Sequence, residues 1–507
     1  MAGKVRWNAI TSLLIAITML MSLWTSAWAS AAEPSSNDEL EGHWAETQLR
    51  KWVDGGLLRG DERGAINPNQ RITRAELIAL INRAFGFSEK AEIRFTDLDS
   101  ANWAYEQVAI AVQAGYTSGY EDRTVRANQP VTREEAAVMI ANALKLDGDA
   151  EGSALQAFAD AGSIADWSKP YISALAAHRL IHGTPAGSFV PNGLMTRAEA
   201  VTILDQAMEA RSAVTVYDQA GTYGPENGTQ TILGSVVVSA ADVALRNTVV
   251  LGDLTLTEEI GEGDAHFRNV DVKGTTSIQG GGENSIHFED SVLVRIVVDK
   301  RTGTVRVVAI GASSIQSVIV SSPVKLEETH ATDSGFKNVE LSSALPAGAA
   351  VTLSGQFENV AVFSSDVKVS IPSGSVQQLN IGENAKGAQV EVSSEAKVLD
   401  LVLNAVAKVL GQGTIGKATV NDSAKGSTFE KKPDSVTGNA ANDISVTQPA
   451  PGGAAVPNDS DDGDGDGGDN DDDGPAPQPG TCQGTPDQCE NAELAGLTVA
   501  GYTLHQL

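Results

Sequence analysis

Apolar residues follow two different periods along this chain. Between residues 38 and 211 they recur at helical spacing. Trp44, Ala45, Leu49, Trp52 and Val53 mark a first helix that ends at Gly55-Gly56, and Leu77, Ile78, Leu80, Ile81 and Phe85 line one face of a second. From about residue 230 the spacing changes to alternation: Val243/Leu245, Leu254/Leu256, Val270/Val272 and Ile286/Phe288. The pattern predicts a multidomain chain, with an α-helical unit followed by an all-β domain.

The helical part is written three times. "TRAE" or "TREE" begins at Thr73, Thr132 and Thr196, and a tryptophan (Trp44, Trp103, Trp167) precedes each threonine at one constant offset. A glycine follows each tryptophan, again at a constant offset, at Gly60, Gly119 and Gly183. "FTD" and "FAD" introduce the second and third copies through Asp97 and Asp160, whereas the first has only Asp38 in that place. Each Thr-x-x-Glu is a capping box. The threonine oxygen takes the N–H of the third helical residue, and the glutamate returns to the N–H of the threonine. Arg74, Arg133 and Arg197 stand in the first turn, where a cation opposes the helix dipole. Two readings fit a cation in that place. It can form an anion site with the free N–H groups of the helix start, suited to carboxylate or phosphate, or it can pin the preceding loop through carbonyls or through Asp97 and Asp160.

These residues resemble the S-layer homology domain in three tandem copies, over about a third of the chain: 38–90, 93–148 and 157–211. The resemblance implies a pseudo-threefold unit whose grooves bind secondary cell wall polymer carrying pyruvate ketals. It implies a site built from Arg74, Arg133, Arg197, Trp44, Trp103 and Trp167, with Gly60, Gly119, Gly183, Asp97 and Asp160 around them. The tryptophans are then groove walls or sugar-stacking faces; plain core packing is the other reading. Copy two departs with Glu134 and Ala127, and copy three with Arg179 in place of the glycine at Gly56 and Gly115. Unequal grooves are expected.

The β region has its own repeat. "LRNT" at 245, "FRNV" at 267, "FEDS" at 288, "IQSV" at 315, "FKNV" at 336, "FENV" at 357, "VQQL" at 376 and "VLDL" at 398 recur at steps of 22, 21, 27, 21, 21, 19 and 22. The turn "DKRTG" (299–303) reads as an insertion within the long step. A period near 21 with alternation predicts a β-solenoid (parallel β-helix) over 230–430, one coil per repeat, with Phe267, Phe288, Phe336 and Phe357 stacked in register. A pair of β-sandwiches leaves the step unexplained. His266, His287 and His330 are scattered, and no catalytic constellation emerges, so the domain is expected not to be an enzyme.

Charge and targeting narrow the function. Lys+Arg total 36 against 65 Asp+Glu, a formal net charge of −29, which argues against a nucleic-acid partner. Lys4, Arg6, the apolar run 9–24 and Ala27-Trp28-Ala29 form a secretory signal over 1–31. No later run reaches the ~20 apolar residues of a spanning helix, so no membrane span is expected after signal cleavage. Residues 431–480 read as an acidic Gly/Pro/Asp-rich linker. Within it Asp462, Asp464, Asp466 and Asp473 match part of a calcium loop that lacks its glutamate, so no cofactor beyond diffusely held calcium is expected. Cys482 and Cys489 can close a local disulfide, and 481–507 resembles the opening of a cadherin-like β-sandwich module. The signal predicts export, and the S-layer homology resemblance implies a place at the cell wall or S-layer surface of a Gram-positive-type bacterium. The protein would be tethered through peptidoglycan-associated polysaccharide and display a β-solenoid. A wall-tethered polysaccharide-acting enzyme and an S-layer lattice subunit are the alternatives.

Overall fold

A computed structural model describes residues 39–447, apart from 147, 149–151 and 333–334. The signal segment, the calcium-loop aspartates, the cysteine pair and the 481–507 module lie outside the described residues.

Among the described residues six α-helices form the first part: α1 Glu46–Asp54, α2 Arg74–Phe85, α3 Ala104–Gln113, α4 Arg133–Ala143, α5 Lys169–Ala177 and α6 Arg197–Ser212. The second helix of each copy opens on its capping box. Thr73, Thr132 and Thr196 accept from the N–H of Glu76, Glu135 and Glu199, and each glutamate accepts from the threonine N–H in return. These helices are buried along most of their length, because each packs against the first helix of the next copy. Thus α2 meets α3, α4 meets α5, and α6 returns to α1. The closing contact is polar as well as apolar. Trp52 Nε1 donates to Asp205 at 2.9 Å, and Lys51 pairs with the same carboxylate at 2.8 Å. Backbone bonds run around the same axis. Ile72 N–H donates to Met195, Met195 to Val131 and Val131 to Ile72, closing a triangle. The capping threonines of all three copies flank that triangle, which makes the unit pseudo-threefold.

Among the described residues strands begin at Val214 and end at Val446, outside the expected 230–430 on both sides. Residues 435–437 and 445–446, expected as linker, pair with Lys417–Thr419 and Thr428–Phe429 to extend the stack. Their short polar strands gave no alternation signal. All pairings in the sheet are parallel, and the chain winds a β-solenoid of about 11 turns. Each coil turns three short strands around one interior column of Val, Leu, Ile and Phe. Where coils approach most closely only glycine fits: at Gly374 (φ +88°) a Cβ would collide with the carbonyl of Gly355 below. The first coil is joined to the helical unit by Leu233 and Leu251, which pack into the helical core.

The long step between Phe288 and Ile315 does not lengthen the coil there. Phe288 pairs with Ala309, and Leu293 pairs with Ile315, so the coil keeps its ordinary length through the region of the long step. The turn at 299–303 belongs to a coil of ordinary length; the longer coil comes later, where Val324 pairs with Val351, 27 residues on. The step of 27 between the motifs at 288 and 315 arises because the motif changes corner. Asn247, Asn269 and Asp290 occupy one bend in left-handed conformation (φ 50°, 51° and 49°), and Asn269 donates to Asn247 at 2.8 Å. Ser317, Asn338, Asn359, Gln378 and Asp400 occupy the next bend round the coil. The four phenylalanines therefore form two stacks, not one: Phe267 on Phe288, with ring centroids 5.0 Å apart, and Phe336 on Phe357, 5.8 Å apart.

Candidate functional site

The three arginines are not free. Arg74 pairs with Glu135 at 2.6 Å, Arg133 with Glu199 at 2.9 Å and Arg197 with Glu76 at 2.8 Å. Each glutamate holds its own capping threonine with one oxygen and the arginine of the preceding copy with the other. The helix starts are not free anion sites either. The first N–H groups of α2, α4 and α6 donate to loop carbonyls of the following copy: Gln129 and Ala127, Gly193 and Pro191, Gln70 and Pro68. A cation in the first turn is tolerated because a carboxylate from the neighbouring copy neutralises it within a buried contact. The arginines also hold loop carbonyls, Arg197 at Ile66 and Arg59 and Arg133 at Phe189.

Asp97 and Asp160 do not touch those arginines. Each clamps two consecutive N–H groups, Val125 and Arg126 for Asp97, Phe189 and Val190 for Asp160. In copy one Glu39 does this for Ile66 and Asn67, and Asp38 lies outside the described residues. Asn67, Arg126 and Val190 are all left-handed (φ 53°, 54° and 59°), so the carboxylates fasten a strained bend. The glycines serve the same loops: a Cβ at Gly119 would meet the Phe95 ring, and one at Gly183 comes within 3.4 Å of Phe158.

The tryptophans are not core residues. Trp44, Trp103 and Trp167 are 64, 58 and 53% exposed. None belongs to the groove of its own copy. Trp167 walls a groove of about 820 Å³ with Arg74, Tyr120, Arg126 and Glu135, and Gly119 lies in its floor. Trp44 walls one of about 490 Å³ with Arg133, His182, Gly183 and Glu199. Trp103 walls one of about 340 Å³ with Arg59, Gly60, Arg83, Glu76 and Arg197. Every groove thus takes its arginine from one copy, its glycine loop and glutamate from the next, and its tryptophan from the third.

The family model for the S-layer homology domain matches residues 40–78, 94–137 and 157–201. The chain carries three S-layer homology domains. A surface-layer 125 kDa protein of Lysinibacillus sphaericus is 28% identical over 38% of this chain and 16% of its own length. An exoglucanase, XynX, of Acetivibrio thermocellus is 27% identical over 34% of this chain and 16% of its own. A solved chitinase structure from Paenibacillus sp. str. FPU-7 is 37% identical, covering 35% of this chain and 16% of that one, with a TM-score of 0.32. The chain therefore spans about a sixth of the length of these relatives, and the enzymes match only its S-layer homology region. Such domains bind cell-wall polymers and anchor S-layer proteins and cell-surface enzymes. This places the chain among secreted, wall-attached proteins of Gram-positive-type bacteria.

The three S-layer homology grooves differ in charge. The groove of Trp103 sets three arginines (Arg59, Arg83, Arg197) against two carboxylates (Asp61, Glu76). Asp61 is tied to its own loop, where it accepts from Arg63 and Ala65 N–H, and these bonds hold it below the usual carboxylate range. Arg59 makes no ion pair among the described residues. Burial, then the like charges of Arg59 and Arg197, push the Arg83 guanidinium below its ordinary value, a strain that an arriving anion would relieve. The groove of Trp167 sets two arginines against three carboxylates (Glu121, Asp122, Glu135). There burial, and then a 2.6 Å bond to Glu135, push the Tyr120 hydroxyl up to about 12. Although burial opposes it, that bond and the threonine and arginine contacts keep Glu135 below its usual value. The groove of Trp44 is the most apolar, with Leu180, Pro185 and Ile203 in its wall. Arg59, Arg83 and Tyr120 were not among the sequence candidates. They fall outside the repeated positions, so the repeat carried no signal for them. Among the described residues no cluster of His, Cys, Asp and Glu could hold a metal ion, and no helix is long and apolar enough to cross a membrane.

Proposed function

We propose that the three-domain unit tethers this protein non-covalently to an anionic secondary cell wall polymer, and that the groove of Trp103 takes a pyruvate-ketal carboxylate of that polymer. The observation that carries this reading is the sign of the groove. It is the only one of the three described above whose lining holds more cations than carboxylates, with Arg59 outside any ion pair among the described residues. A planar carboxylate matches a guanidinium fork. The exposed indole beside it offers a face for a sugar ring. The solenoid is then a displayed body without enzymatic activity. Its titratable side chains support this by engaging one another between coils. Arg268 grips Glu289 and Arg306 grips Glu327 in two-bond pairs. His266 stacks on His287, which bonds the Asn284 carbonyl.

Co-sedimentation of the full chain with purified cell walls, before and after extraction of the secondary polymer, tests the tether. Binding is expected to intact walls and to be lost with the polymer. Undiminished binding to stripped peptidoglycan would overturn it. Release of sugar from wall or plant glycans by the full chain would overturn the display reading.

A further inference from the structure

One face of the solenoid departs from the charge character of the whole protein. The outward residues of twelve stacked rungs, from Val216 to Thr437, form a single column. Six are apolar, among them Val237, Val297, Ile319, Ala361 and Val402; five are Thr, Ser or Asn; Glu340 alone is charged. All but Val216, Glu340 and Thr437 are half-buried by the rungs beside them, so the strip is flat. Charge lies on either side of this column, at Arg295, Asp400 and Lys417 on the same strands and in the Arg268–Glu289, Arg306–Glu327 and Asp271–Lys273 pairs elsewhere.

We propose that two copies of this chain pair face to face through this column. Three physical terms favour a second copy. Each chain carries a formal charge of −29, so like-charged copies approach at least electrostatic cost where charge is nearly absent. The β-branched Val, Ile and Thr side chains are stiff and lose little entropy on contact. At a rung spacing of about 4.8 Å the strip is about 50 Å long, and with its flanking columns offers roughly 700 Å², close to the ~800 Å² per partner of a standard interface. Glu340 is the one charge in the column itself and loses water on pairing, while Arg295, Asp400 and Lys417 of the flanking column stay at the rim.

Sedimentation equilibrium of the full chain over a concentration series tests this. A dimer is expected, and it should strengthen as salt screens the net charge. Ile319→Lys and, separately, Thr419→Glu should each weaken it by at least about thirtyfold, whereas Glu340→Gln should tighten it by about tenfold. Glu358→Lys, on another face, should leave it unchanged. Glu340→Gln leaves the core untouched, so the test stands even if a charged variant misfolds. A monomer at every concentration, or a dimer indifferent to Glu340→Gln, would overturn the proposal. So would a monomer that binds insoluble uncharged glycan in an Ile319-dependent way, which would assign the face to polysaccharide.

Discussion

Arg197 and Glu76 meet at 2.8 Å across 121 residues of chain, and that contact closes a three-membered ring of arginine–glutamate pairs between successive domains. Arginine in the first turn is therefore part of what holds the unit together, as the loop-pinning reading has it, with a glutamate of the next domain and loop carbonyls as its partners in place of Asp97 and Asp160. Thr73→Ala removes a cap and should cost ~1 kcal/mol. Arg74→Ala strips Glu135 and Tyr120 of a buried partner and should cost more, ~2–3 kcal/mol. Chemical denaturation of the two variants checks the order, and a smaller loss for Arg74→Ala would separate the ring from stability.

Tyr120 should ionise late. Its hydroxyl is raised in the folded state from 10.0 to about 12. A group raised on folding contributes stability below its unfolded value and loses it as pH climbs through the folded one. The Tyr120→Phe variant should therefore lose less stability than the parent between pH 10 and about 12. Melting curves across that range measure the difference, and parallel curves would contradict it.

Arg179 takes a left-handed conformation (φ 57°) where the other domains have Gly56 and Gly115 (φ 70° and 82°). The helix end demands that conformation, and only glycine adopts it without a Cβ penalty. Arg179→Gly should stabilise the protein by about 1 kcal/mol. A lowered melting temperature would show that its side chain makes a compensating contact.

Within the solenoid, Phe336 is fully buried against Phe357. Phe336→Asp would bury an unpaired carboxylate and should cost several kcal/mol, ~4. Glu358→Lys, on the outward face, should stay within about 0.5 kcal/mol. Urea titration of both variants tests the inward and outward assignments.

The repeated parts of the fold were the legible parts. Thr73, Thr132 and Thr196 announced three helix starts because capping is local chemistry written in a four-residue motif. The solenoid showed through its period, but the corner change between Asp290 and Ser317 was hidden, since two equivalent bends accept the same polar residue. The destination of each arginine was also hidden. Glu135, Glu199 and Glu76 were read as caps of their own helices, and their second oxygen bonds across a domain boundary that no local pattern records. The exposure of the three tryptophans had the same cause: their surroundings come from a different copy.

Binding of the full chain to soluble, pyruvylated secondary-polymer fragments, followed by calorimetry, tests the anchoring claim most directly. The parent should bind, and Arg59→Gln and Trp103→Ala should each weaken binding by at least about tenfold. Removing the pyruvate should have the same effect on the parent. Equal affinity for fragments with and without pyruvate, or binding that survives both substitutions, would contradict the account.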